Sequence, residues 1–419
     1  MMMRTLAALL VTGAVGAGAI GAAVRMAPAS ISVTLDHDWE KSRPGPDSGR
    51  VAILIDALGR TDPVVCELLA DQLGNFWLGG GRNGVGRLAA APATVQVAKD
   101  SMGGAITDAR AINRLVAELD GPNACTRRVA SKMLGNSTIT PARLNSLLAD
   151  ASANVRESAA MAAGAGERHD ALSALERALD DRTPAVAAMA AWALGEIEDH
   201  SSVAALLRLV RSGDAKVRLS SMWALGQIED ARAVPDVVAV LRDENPAIRE
   251  MAADVLGDFE KADAREPLER ALANDADARV RSEAAESLGQ ISSPLSGPAL
   301  GRALSDADVT VRRAAAEALG DLDDLHVAPA GLSAALSASD PELRYRAAKA
   351  LAEIRDPATT TALIGILSSP DAELRKDAVE ALGDIGTAPA VDAITKALND
   401  RDPEVRKAAA EALGDIKDG

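Results

Sequence analysis

The stretch Asp402-Pro403-Glu404-Val405-Arg406-Lys407-Ala408-Ala409-Ala410-Glu411-Ala412-Leu413-Gly414-Asp415-Ile416 decides the fold of this chain. A carboxylate that can cap a helix start is followed by a proline suited to the first helical position, an alanine run and a glycine. Walking back from Arg406, the same slot holds Arg375, Arg344, Arg312, Arg281, Arg249, Arg218, Ala187, Arg156, Arg127, Gln96 and Cys66, at steps of 29 to 32 residues. Nine of these twelve positions carry Arg. Eight residues after the slot stands Gly in every unit except the one with Ala352. Four residues before it stands Asp, Asn, Ser or Thr in every unit except the one with Pro92. Each unit therefore predicts a capped helix of about three turns that ends near the glycine. A second apolar-periodic stretch precedes it, such as Val391, Ile394 and Leu398. One helix pair cannot bury its own apolar face, so the pairs must stack.

The string in the last unit resembles the short bacterial HEAT-like repeats, of the type also found in phycobilisome lyases. The resemblance covers residues 51–419 and is weakest where Cys66 and Gln96 replace the Arg. It implies an all-α, right-handed α-solenoid of about twelve stacked HEAT-like helix pairs, divergent over 51–150 and regular over 151–419. It also implies that slots plus one, two, five and nine line the concave face.

Composition agrees with helices. Phe, Tyr and Trp make up only 2% of the 419 residues, so the core must pack backbones closely, which Ala-rich helices do well. Residues 1–150 hold 15 Lys and Arg against 13 Asp and Glu; residues 151–419 hold 30 against 48. An acidic repeat region argues against a nucleic-acid partner, which needs a basic stripe.

The chain opens with Arg4, an uncharged stretch from Thr5 to Val24, Arg25 and Ala27-Pro28-Ala29. This pattern predicts a signal peptide or membrane anchor over residues 1–30, with a linker over 31–49. The bulk of the chain is then exported, periplasmic or secreted, and meets a membrane only through that segment if it stays uncleaved.

The repeated arginines (Arg218, Arg249, Arg281, Arg312, Arg344, Arg375 and Arg406 in the regular units) predict structural pairing with acidic loop residues of their own or the next unit. The glycine column predicts a helix C-cap or a close contact. Slot plus five reads Asp254, Glu286, Glu317, Lys349, Glu380 and Glu411 in later units, but Met161, Trp192 and Trp223 in three consecutive earlier ones. With Ala188, Met189, Leu219 and Gln227 these form an apolar patch on a face expected to be wet, and Tyr345 stands farther along it. An exposed apolar patch of this kind marks a binding site. The competing reading is that the two tryptophans stack and bury each other.

No catalytic set or cofactor motif emerges. Gly79-Gly80-Gly81-Arg82-Asn83-Gly84 matches a dinucleotide fingerprint but follows a helix rather than a strand. His169 and His200 occupy equivalent slots in adjacent units, too far apart for one metal ion, and read as solvated loop residues. Cys66 and Cys125 fall two units apart, roughly 20 Å on a regular ladder, which predicts two unbridged thiols. The chain thus reads as a non-enzymatic scaffold that binds a protein or peptide in its concave groove, without metal or cofactor. The alternative is an accessory factor that handles a prosthetic group, as lyases of the resembling family do.

Overall fold

Cap chemistry starts the helices where the spacing places them. The computed structural model describes residues 46–59 and 105–418. In it Asn123, Asp214, Asn245, Asp277, Asp308, Asp340, Asp371 and Asp402 each accept a hydrogen bond from a backbone amide two or three residues on. Ser152 and Thr183 hold the same position without a cap bond. Pro184, Pro246, Pro341 and Pro403 are the first residues of their helices, where the missing amide proton costs nothing.

Helices α1 (Ser48–Leu58) and α2 (Ala109–Glu118) open the described chain. The second helices of the units are α3 (Ala124–Gly135), α5 (Ala153–Ala165), α7 (Pro184–Ile197), α9 (Ala215–Ile228), α11 (Pro246–Asp258), α13 (Ala278–Ile291), α15 (Val309–Gly320), α17 (Pro341–Ile354), α19 (Ala372–Ile385) and α21 (Pro403–Asp418). Between them run the shorter first helices α4 (Pro141–Leu147), α6 (Leu172–Ala178), α8 (Val203–Leu207), α10 (Val234–Val240), α12 (Ala262–Asn274), α14 (Gly297–Ala303), α16 (Ala330–Ala335), α18 (Thr360–Ile366) and α20 (Ala388–Ala397). This is an all-α solenoid, with ten second helices among the described residues. Each second helix packs on the ones before and after it, and the first helices touch one another far less. The closer layer is the inner one, so the array bends toward the second-helix side.

Leu134, Leu194, Leu225, Leu256, Leu288, Leu319, Leu351 and Leu382, seven residues on from the arginine slot, are fully buried and join the units into one continuous core. The glycine column proves to be a close contact and not a left-handed cap: none of its described glycines has a positive φ, and most of the helices run on past it. A Cβ built on Gly195 would lie 2.8 Å from the Ala224 Cα of the next helix, nearer than real contacts allow. The left-handed residue that ends the helix falls three positions later, at Glu167, Glu198, Glu229, Glu260, Ser292, Arg355 and Gly386. Only Gly386 takes that conformation without a Cβ penalty. Glu229→Gly (φ 51°) should therefore raise stability by about 0.5–1 kcal/mol, read as a higher urea midpoint. An unchanged or lower midpoint would mean that the Glu229 side chain supplies more than its strain takes away.

At the N-terminal end the regular ladder fails. Helix α1 starts at Ser48, inside the expected linker, and packs directly on α2 and α3. A regular array would have placed it two units from α3. The expectation of two unbridged thiols assumed that regular array and is corrected: Cys125 is disulfide-bonded. Cys66, Gln96, the glycine-rich 79–84 segment, the 1–30 segment and the linker up to residue 45 lie outside the described residues.

Candidate functional site

The arginine slot builds a ladder. In the filled rungs Nη1 donates to backbone carbonyls five and six residues back, as Arg156 does to Asp150 and Ala151 at 2.8 and 3.0 Å; Arg218 keeps only the one six back, on Ser212. The Nε and Nη2 edge then forks onto an aspartate of the next unit, 25 or 26 residues on. Arg156 holds Asp181 at 2.6 and 2.9 Å, Arg249 holds Asp275 at 2.7 and 2.8 Å, and Arg281 holds Asp306 at 2.8 Å twice. Arg375 holds Asp400 at 2.9 and 2.8 Å. Arg218 reaches Asp243 more loosely, at 3.5 Å. The Asp181, Asp306 and Asp400 carboxyls are held low chiefly by the arginine bond. At Asp275 burial pushes upward, but Arg249 and the Asp277 amide outweigh it. The expected pairing is thus made with the neighbouring unit at Arg218, Arg249, Arg281 and Arg375. It is not made at Arg312, Arg344 and Arg406, whose side chains, among the described residues, bond only the carbonyls of their own loops. Ala187, which lacks the guanidinium, faces a unit with Ser212 where its neighbours have Asp.

On the inner face the tryptophans are placed side by side, but not as an exposed patch. Trp192 and Trp223 stack with ring centroids 6.5 Å apart and planes 20° from parallel. Trp192 is only 3% exposed, and Met161, Ala188 and Met189 are buried with it. The expectation of a wet patch fails at these four positions for a packing reason. The glycine of the preceding unit clears room for each ring: a Cβ at Gly164 would meet Trp192 Cζ3 at 2.8 Å, and one at Gly195 would meet Trp223 Cζ3 at 2.8 Å. Each indole therefore settles into the seam between helices instead of standing off the face. Trp223 and Leu219 remain half-buried and Gln227 is exposed, so the accessible apolar surface of this patch shrinks to α9.

Two polar residues complete this shelf. Lys132, in slot plus five of its unit, is buried. Glu196, one turn beyond Trp192, is half-buried, and its carboxyl is raised by burial first and then by Glu167 and Glu198. Lys132 and the Trp192 indole act against that rise. Reading slots plus five and plus nine into the earlier units would have found both.

Toward the C-terminus the same face turns charged. Burial raises the carboxyls of Glu250, Asp321 and Asp377, with like-charged neighbours adding to it. Arg346 bridges Glu317 and Glu342, and Arg313 pairs with Asp340. Tyr345 stands exposed there, well away from the tryptophans. A recess between α19 and α21 is lined by Glu380, Asp384, Glu411 and Asp415. His169 and His200 are exposed and reach the aspartate of the next unit, Asp199 at 3.7 Å and Asp230 at 3.1 Å. Among the described residues no cluster of His, Cys, Asp and Glu is placed to hold a metal ion, and no helix is long and apolar enough to cross a membrane.

Stacked helix pairs tied by an Arg–Asp ladder define a helical repeat protein. HEAT repeats are matched over residues 140–220, 208–289, 270–332 and 329–414, and the chain belongs to that family. No curated protein matches it. Among solved structures, the crystal structure of an engineered protein is similar at 23% identity, covering 74% of this chain and 99% of that one with a TM-score of 0.48.

Proposed function

We propose that the chain is a protein-interaction scaffold that works outside the cytoplasm and holds a protein or peptide on its inner face. The observation that carries this reading is the shelf on α9. Half-buried Trp223 and Leu219 are backed by the buried Trp192 ring and open onto a face lined with Asp254, Asp258 and Glu286. Rigid, partly exposed aromatic residues are the commonest anchors of protein interfaces. The carboxylates beside them favour a partner with an apolar anchor and basic flanks. The disulfide at Cys125 and the uncharged N-terminal stretch support an oxidising compartment.

The test is capture from the envelope fraction on residues 31–419. Trp223→Ala should weaken the captured partner by about 2 kcal/mol, roughly 30-fold in Kd, while the fold stands. Partners retained at full affinity would move the site off this shelf.

A further inference from the structure

We propose that Arg312 and Arg344 form a pair of open carboxylate-binding forks on the ladder edge of the solenoid. Both arginines are posed as in the filled rungs. Arg312 Nη1 donates to the Asp306 and Ala307 carbonyls at 2.6 and 3.0 Å, and Arg344 Nη1 donates to the Ala338 and Ser339 carbonyls at 2.7 and 3.1 Å. These anchors fix the guanidinium plane, so the Nε and Nη2 edge points where the other rungs hold an aspartate. At these two adjacent rungs the aspartate is replaced by Ala338 and Ser369. Among the described residues neither fork bonds a carboxylate, and both arginines are half-buried.

In the filled rungs the same aspartate also accepts the amide of the following cap residue, as Asp306 accepts from Asp308 at 2.8 Å. At the Arg312 rung the equivalent amide, Asp340 N–H, has lost that acceptor along with the side chain of position 338. What remains is the mould of an aspartate side chain: two parallel guanidinium donors and a backbone amide. At the Arg344 rung the amide of Asp371 turns to Ser369 Oγ at 3.2 Å, leaving the guanidinium edge alone. Asp306 and Asp340 lie close enough to feel the Arg312 charge, but they are held by Arg281 and Arg313. A planar carboxylate matches the fork in shape and charge, and a half-buried guanidinium whose Nε and Nη2 edge lacks a carboxylate gains by binding one. Adjacent rungs stand about 10 Å apart, so each fork takes its own carboxylate, and a partner bearing two acidic side chains can engage both. This edge is separate from the tryptophan shelf.

The experiment measures thermal stability of the full chain at pH 7 in sodium acetate against sodium chloride at matched ionic strength. Wild type should melt about 1–3 °C higher in acetate. Ala338→Asp/Ser369→Asp should raise the melting temperature in chloride and abolish the acetate difference, because the added carboxylates fill the forks. Arg312→Lys/Arg344→Lys, which keeps the charge and removes the fork, should also lose the acetate difference, and serves if the aspartate variant does not fold. An acetate effect of the same size in wild type and in either double variant overturns the proposal, as does none in wild type.

Discussion

Trp192→Ala should destabilise the protein by about 3–5 kcal/mol, the range for emptying a buried aromatic site. The ring is 3% exposed and fills the seam between α5 and α7 over Gly164, so its removal leaves a cavity in the repeat interface and takes away the surface on which Trp223 stacks. In a solenoid, loss of one interface uncouples the units on either side, so the urea transition should broaden or split as well as move to lower denaturant. Trp223→Ala, at a half-buried site, should cost clearly less. The check is urea unfolding of both variants followed by far-ultraviolet circular dichroism. A Trp192→Ala midpoint within experimental error of wild type would put that ring back on the wet face. The two tryptophans thus divide the work: one holds the shelf up, and the other is left to make contact.

Arg375→Ala is the second large effect, with an expected loss of about 3 kcal/mol. Arg375 is 3% exposed, forks onto Asp400 and ties down the carbonyls of Ser369 and Pro370. Removing it leaves a carboxylate facing a gap between units and two carbonyls without their donor. Arg375→Lys should recover only part of the loss, because an ammonium cannot make the paired bonds. Arg406, exposed in the last unit and with its side chain bonded among the described residues to the Asp400 carbonyl alone, should tolerate alanine with a change of about 0.5 kcal/mol. Equal losses at Arg375 and Arg406 would contradict the ladder as the source of the effect.

The same ladder sets the acid limit. The Asp181, Asp275, Asp306 and Asp400 carboxyls lie below their ordinary value when folded, so they bind protons more readily in the unfolded chain. Their contribution is fully present above about pH 4, the unfolded carboxyl range, and is lost as pH falls from there through the folded values. Melting temperature should accordingly drop steeply between about pH 4 and pH 2. Filling the Ala338 and Ser369 positions with aspartate would add two more such groups and steepen that drop. A curve that stays flat to pH 2 would deny the ladder its role.

Periodicity alone determined the helix pairs, their caps and the arginine slot in this protein, because those features depend on residues close in the chain. Asp402 starts its helix and Pro403 follows it whatever the rest of the solenoid does. Tertiary structure decided the remainder. The slot arginines choose their partners across the unit boundary, and whether a rung is filled depends on a residue 25 or 26 positions away, such as Asp400 for Arg375 or Ala338 for Arg312. Slot numbering put Trp192 and Trp223 on one face correctly but assigned that face to solvent. Burial there is set by how deeply an indole sinks beside the glycine of the preceding helix, and a column of letters carries no depth. The disulfide at Cys125 was hidden for a related reason: regular spacing assumes regular stacking, and the direct packing of α1 on α3 breaks it.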